Sequence, residues 1–130
     1  MPTPAVWQEA LRRHGFDLKL DDFDPASHSG FLPAQYRGRP AGFEFYRDII
    51  EDPDDLGSDE CAQAAADYYE YVSLVTHSNI YEALSATVAA GVLAELTGGL
   101  LWQDESGEGH PPEKAVPWAR AVEREALASL

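Results

Sequence analysis

A chain of 130 residues with 45% hydrophobic and 11% aromatic content has the size and composition of one folded domain, not of a disordered segment. Its net charge of -14, from 23 acids against 9 bases, excludes nucleic acid and anionic membrane surfaces as ready partners, because both repel such a chain. A single cysteine, Cys61, excludes an internal disulfide framework and a CxxC metal knuckle.

In chain order, Thr3 as N-cap, Pro4 at the first helical position and Gly15 as a stop predict a first helix. Its Val6, Trp7, Ala10 and Leu11 share one face and are expected on the core. FDLKL at 16–20 alternates as a short half-buried strand, and DDFDPASHSG at 21–30 reads as a loop. FLPAQY (31–36) and GFEFYRD (42–48) flank RGRPA, which predicts a hairpin with a longer-than-minimal loop. Phe43 and Phe45 face one way and Glu44, Tyr46 and Asp48 the other, while Pro33 marks its arm as an edge or a bulge.

EDPDDLGSDE at 51–60 holds six carboxylates, and a short helical turn is expected from Cys61 to Ala66. YYEYVSLVTHS (68–78) has apolar groups on both faces, the pattern of an interior strand. Asn79 and Glu82 form a capping box for a helix that Gly98 and Gly99 end. Ile80, Leu84, Val88, Val92 and Leu96 form its apolar stripe, beside the small Ala83, Ala86, Ala90 and Ala94. LLWQD (100–104) reads as a strand, ESGEGHPP as a turn, and 114–129 as a last helix with Trp118, Val122 and Ala126 on its apolar face. The order predicts a single α+β domain over 1–130, with helices packed on a mainly antiparallel sheet of about five strands.

The charge is segregated. Between Arg47 and Lys114 there is no Lys or Arg, while 15 acids run from Asp48 to Glu113. Such a surface suits a basic protein partner, because electrostatic steering speeds encounter about 10- to 1,000-fold. The competing reading of the 51–60 loop is a solvated connector.

Sites of chemistry are weakly written. Aligning Asp52 and Asp54 to a calcium loop puts Gly57 at the glycine position, but Leu56 and Gln63 then replace two ligands, so no dedicated metal site is expected. His14, His28, His77 and His110 show no metal-binding spacing, and Cys61 lies among acids that blunt a thiolate. With no nucleophile elbow and no phosphate cradle, no catalytic residue and no cofactor is assigned. Tyr46, Tyr68, Tyr69, Tyr71 and Trp102 could form a recognition surface, but sheet core is the leading reading for most of them.

Two stretches carry a resemblance: GFLPAQYRGRPAGFEFY (30–46) and ALSATVAAGVLAELTGGLLWQDESGE (83–108). Together they resemble small bacterial immunity proteins that accompany secreted polymorphic-toxin or type VI effectors. The resemblance implies a compact, acidic, cytoplasmic protein that is not an enzyme and inhibits a toxin by covering its active site. No active-site role comes with it, because its motifs are structural. The N-terminal MPTPAVWQEALRRHG has no secretory pattern and no long uncharged apolar run is evident, which also fits the cytoplasm.

The expected function is therefore neutralisation of a cognate basic toxin domain. Glu51, Asp52, Asp54, Asp55, Asp59 and Glu60 form the first expected contact surface, and Asp104, Glu105 and Glu108 the second. The alternatives are an acidic secretion chaperone, which would bind an extended segment of its client, and a small enzyme using a carboxylate pair or His77. A pocket lined by perturbed acids would favour the enzyme.

Overall fold

The computed structural model describes residues 1–56 and 58–130; Gly57 and the side chain of Asp55 lie outside that description. The chain runs α1 (Pro4–Arg13), β1 (Leu18–Leu20), β2 (Gly30–Tyr36), β3 (Arg39–Ile49), a 3-10 turn (Pro53–Leu56), α2 (Asp59–Ala65), β4 (Glu70–Val75), α3 (Ile80–Thr97), β5 (Leu101–Gln103), β6 (Glu108–His110) and α4 (Pro112–Ala128). The α+β class stands. Among the described residues the strands number six, in an antiparallel sheet ordered β1-β2-β3-β4 and a separate β5-β6 hairpin, not about five.

The helix ends follow local chemistry. Thr3 Oγ1 accepts from the Val6 amide, and the Asn79 side chain accepts from the Tyr81 and Glu82 amides. Gly98 closes α3 at φ 65, in the left-handed region that glycine adopts without strain.

Other elements depart from expectation. Tyr36 pairs directly with Arg39, so the β2–β3 turn is the two residues Arg37-Gly38, not the longer RGRPA loop. Both have positive φ, 52 and 79, the twist that fits a tight hairpin. Pro40 falls inside β3 instead, in a stretch that β4 does not reach, since the β3–β4 register begins at Glu44. Pro33 marks the place where β1 stops. The β1 register ends at Leu20↔Ala34, and the next contact is a lone hydrogen bond from the Asp21 amide to the Pro33 carbonyl (3.0 Å), which proline cannot return. β4 is an edge strand, not an interior one.

The expected turn at 105–112 contains β6, whose Glu-Gly-His sequence carries little strand propensity. Gly109 lies against the Trp102 ring, where an added Cβ would come within 3.2 Å. The last helix starts at Pro112 and keeps Pro117 inside it; its deepest residues are Ala115, Val116 and Ala119, with Trp118, Val122 and Ala126 half-buried. Val6 and Ile80, expected on the core, are exposed at helix beginnings.

The core lies between one face of the four-stranded sheet and the helices. Trp7 is fully buried, its indole Nε1 donates to the Ala89 carbonyl (3.1 Å), and its ring lies 6.3 Å from both Phe43 and Phe45. Phe23, in the segment read only as a loop, inserts here 5.2 Å from Phe45. α3 is 18 residues long and is the one described helix apolar enough to cross a membrane by length and composition, an amendment to the sequence reading. Here its apolar surface faces the sheet, α1 and α4. Gly91 permits the approach of α4, since a Cβ there would stand 2.8 Å from Ala119 Cβ and 3.0 Å from the Ala115 carbonyl oxygen.

Two polar ties hold the periphery. Gln8 closes the free edge of β1, donating from Nε2 to the Leu18 carbonyl (2.8 Å) and accepting at Oε1 from the Leu20 amide (2.7 Å). The buried Tyr36 hydroxyl donates to Glu123 on α4 (2.7 Å), and burial together with that carboxylate pushes it well above the usual tyrosine range.

Candidate partner-binding surface

The acidic stretch begins where β3 runs out of partner strand. Asp52 Oδ1 accepts from the Asp54 amide (3.0 Å), which makes a local turn ahead of the 3-10 segment. Ser58 then caps α2, its Oγ accepting from the Cys61 amide (3.1 Å). Asp59 and Glu60 occupy the first turn of α2, where the exposed helix amides favour negative charge. Asp52, Asp59 and Glu60 thus each serve the local backbone whatever else they do.

Glu51, Asp52, Asp54, Asp59 and Glu60 are all exposed, as are Asp104, Glu105 and Glu108; the Asp55 side chain lies outside the described residues. Among the described residues none of these acids pairs with a Lys or Arg, and Glu108 lies 3.8 Å from His110 Nε2. The two acidic segments are linked electrostatically through Cys61. Burial pushes the Cys61 thiol up, and the charge of Asp104 adds to that rise, so α2 and the β5–β6 turn lie within electrostatic reach. Cys61 is held away from its thiolate form, as its acidic surroundings suggest.

Among the described residues the second face of the main sheet is largely open to solvent. Strand alternation and register place Phe31, Glu44 and Val75 side by side on it, then Tyr46 beside Ser73, then Asp48 beside Tyr71. Phe31, Tyr46, Tyr71 and Val75 are exposed there, and Tyr68 and Tyr69 are exposed just before β4. Sheet core is therefore the wrong reading for Tyr46, Tyr68, Tyr69 and Tyr71, while Trp102 is half-buried. The Phe31 ring lies across Gly42, whose φ is 135 and where a Cβ would meet the ring at 2.8 Å.

Glu44 is the hub of this face. The Tyr46 hydroxyl donates to Oε1, and His77 Nε2 lies 2.7 Å from Oε2. Tyr46 first and His77 second hold Glu44 below the usual carboxylate range, and Glu44 in turn raises Tyr46. The His77 side chain is 77% exposed, so this His–Glu pair stands in open solvent, without walls to orient a substrate. The alternation along 43–48 was readable from sequence, but nothing local announced that the outward side stays bare.

Two surface grooves flank the sheet. One runs between Lys19, Asp21, Gln35 and Pro40, and the other between His28, Arg47, Asp48 and Tyr69, where Arg47 pairs with Glu70 (3.1 Å). Among the described residues no group of three or more His, Cys, Asp or Glu could hold a metal ion. Comparison with protein-family models, with curated proteins and with solved structures gave no match to this chain.

Proposed function

We propose that this chain is a cytoplasmic immunity protein that binds a basic secreted toxin domain and neutralises it by covering its active site. The observation that carries this reading is the pair of exposed acidic segments, α2 with the stretch before it and the β5–β6 turn. Its exposed carboxylates stand without Lys or Arg partners among the described residues. Exposed carboxylates in that number repel one another, and a cationic partner relieves the repulsion while steering quickly to the site. A cleft built for phosphate-bearing substrates is cationic, and these acids would fill it as the substrate does.

The test is capture from the source cytosol at low and at high salt, with the partner identified by mass spectrometry. The expected result is one basic domain that arrests growth when expressed alone and is harmless when co-expressed with this chain. The quadruple variant Asp52→Asn, Asp54→Asn, Asp59→Asn, Glu60→Gln should weaken capture as high salt does. Capture that ignores both salt and these substitutions makes the acidic stretch a solvated connector and ends the proposal. An extended, non-toxic client segment in place of a folded domain would identify a secretion chaperone instead.

A further inference from the structure

We propose that the open face of the four-stranded sheet is an arginine-reading surface, on which Tyr46 and Tyr71 stack partner guanidinium groups while Glu44 and Asp48 accept their N–H donors. The proposal deepens the inhibitor reading and rests on it in one respect, that the partner is basic.

The placement of charges beside rings carries the inference. Asp48 is the direct cross-strand neighbour of Tyr71, and Glu44 has Phe31 on one side and Val75 on the other. Such neighbours stand about 4.5–5.5 Å apart at Cβ, so each carboxylate lies at the rim of an apolar or aromatic patch. A guanidinium matches that pattern: its flat face is attracted to a ring and its edge donates to a carboxylate. Lysine is a poorer fit, because a compact ammonium lacks the planar fork that satisfies both at once. Glu44 retains acceptor capacity beyond Tyr46 and His77, since a carboxylate offers about four lone-pair sites.

The same face disfavours other occupants. A second copy of the chain brings its own charge of -14 against Glu44 and Asp48. An apolar partner would take Glu44 and Asp48 out of water with no added cation, although Glu44 keeps Tyr46 and His77 and Asp48 Oδ1 keeps the Ile49 amide (2.8 Å), and that desolvation is unfavourable. Among the described strand residues, alternation puts one basic side chain on this face, Lys19 on β1, at the edge opposite β4. Arg47 has the other parity and pairs with Glu70, and Arg39 lies over the Tyr81 ring of α3 (4.7 Å). The β3–β4 half of the face therefore presents rings and carboxylates with no Lys or Arg beside them among the described residues, and an arriving guanidinium must share Glu44 with the exposed His77 imidazole.

The experiment titrates the isotopically labelled full chain with a hexa-arginine peptide and, separately, a hexa-lysine peptide, following backbone amide shifts by NMR at low salt. Hexa-arginine is expected to bind about five-fold or more tightly than hexa-lysine, the preference that one or two exposed cation–ring contacts supply. Its shifts should centre on 44–48 and 71–75. The double variant Tyr46→Ala, Tyr71→Ala should abolish the preference while circular dichroism reports an unchanged fold. The map on the unmodified chain stands by itself should that variant fail to fold. Equal binding of both peptides, with shifts confined to 51–60 and 104–108, overturns the arginine-reading face and leaves the acidic-surface reading standing. If neither peptide binds, both fall.

Discussion

Phe45 and Tyr46 are neighbours in β3, and they show how differently the two faces of one sheet are used. Phe45 is fully buried, with Phe23 at 5.2 Å and Trp7 at 6.3 Å. Tyr46 is exposed and turns its hydroxyl along the surface to Glu44. The covered face takes rings without polar atoms, or rings whose polar atom finds a partner, as Trp7 does with Ala89 and Tyr36 with Glu123. The open face mixes rings with carboxylates. The lesson is that aromatic content alone says little about a core: Tyr36 and Tyr46 both donate to a glutamate, yet one is fully buried and the other exposed, and what packs over the ring decides which.

That contrast can be broken most forcefully at Trp7. Trp7→Ala removes the ring on which the covered face converges and takes the side-chain donor from the Ala89 carbonyl, and is expected to cost about 3–5 kcal/mol in denaturant unfolding. A loss below 1 kcal/mol would mean that the core does not centre there.

Tyr36 offers a smaller, more diagnostic effect. Tyr36→Phe should cost about 1 kcal/mol, the typical worth of one hydrogen bond. The pH dependence has a definite sign. Folding raises this hydroxyl above its unfolded value of about 10, so its stabilisation is complete below that pH and fades as pH climbs further. Unfolding curves measured from pH 8 upward should show an alkaline loss in the parent chain that is reduced in Tyr36→Phe. Parallel curves would remove Tyr36 from the account.

The smallest expected effect lies on the open face. Tyr71→Ser should change stability by no more than about 0.5 kcal/mol, since the ring already meets solvent. A loss of several kcal/mol would make the face structural and weaken its case as a binding surface.

The parts legible in the sequence were those set by local chemistry. Thr3 with Pro4, and Asn79 with Gly98, fix helix ends through their own side chains and backbone angles, and the structure follows them. The outward set Glu44, Tyr46 and Asp48 was equally legible, because strand alternation has a period of two. That it stays bare depends on α1 and α3, from elsewhere in the chain, packing on the Phe43 and Phe45 side instead, and the place of β4 at the sheet edge depends on pairing that no local pattern announces. A strand apolar on both faces looks the same whether its second face is filled by a helix or left bare. β6 escaped for another reason: Glu108, Gly109 and His110 are poor strand formers held by Leu101–Gln103 opposite them. The exposure of Glu51, Asp52, Asp54, Asp59 and Glu60 follows from their charge, but the influence of Asp104 on Cys61 depends on tertiary packing.

The two-residue turn at Arg37-Gly38 has a consequence in time as well as in shape. It brings seven facing pairs of β2 and β3 together with almost no chain to close, and a hairpin of that kind forms in roughly 1–10 microseconds. β1 lies just upstream and adds to one side, so the N-terminal three strands can assemble before β4 is needed. β4 must wait for the acidic stretch to span the gap between Ile49 and Glu70, where like charges resist compaction. The strand that borders the bare aromatic surface is thus expected to dock last and to open first. Amide exchange should register this order as faster exchange in Glu70–Val75 than in Leu32–Phe43.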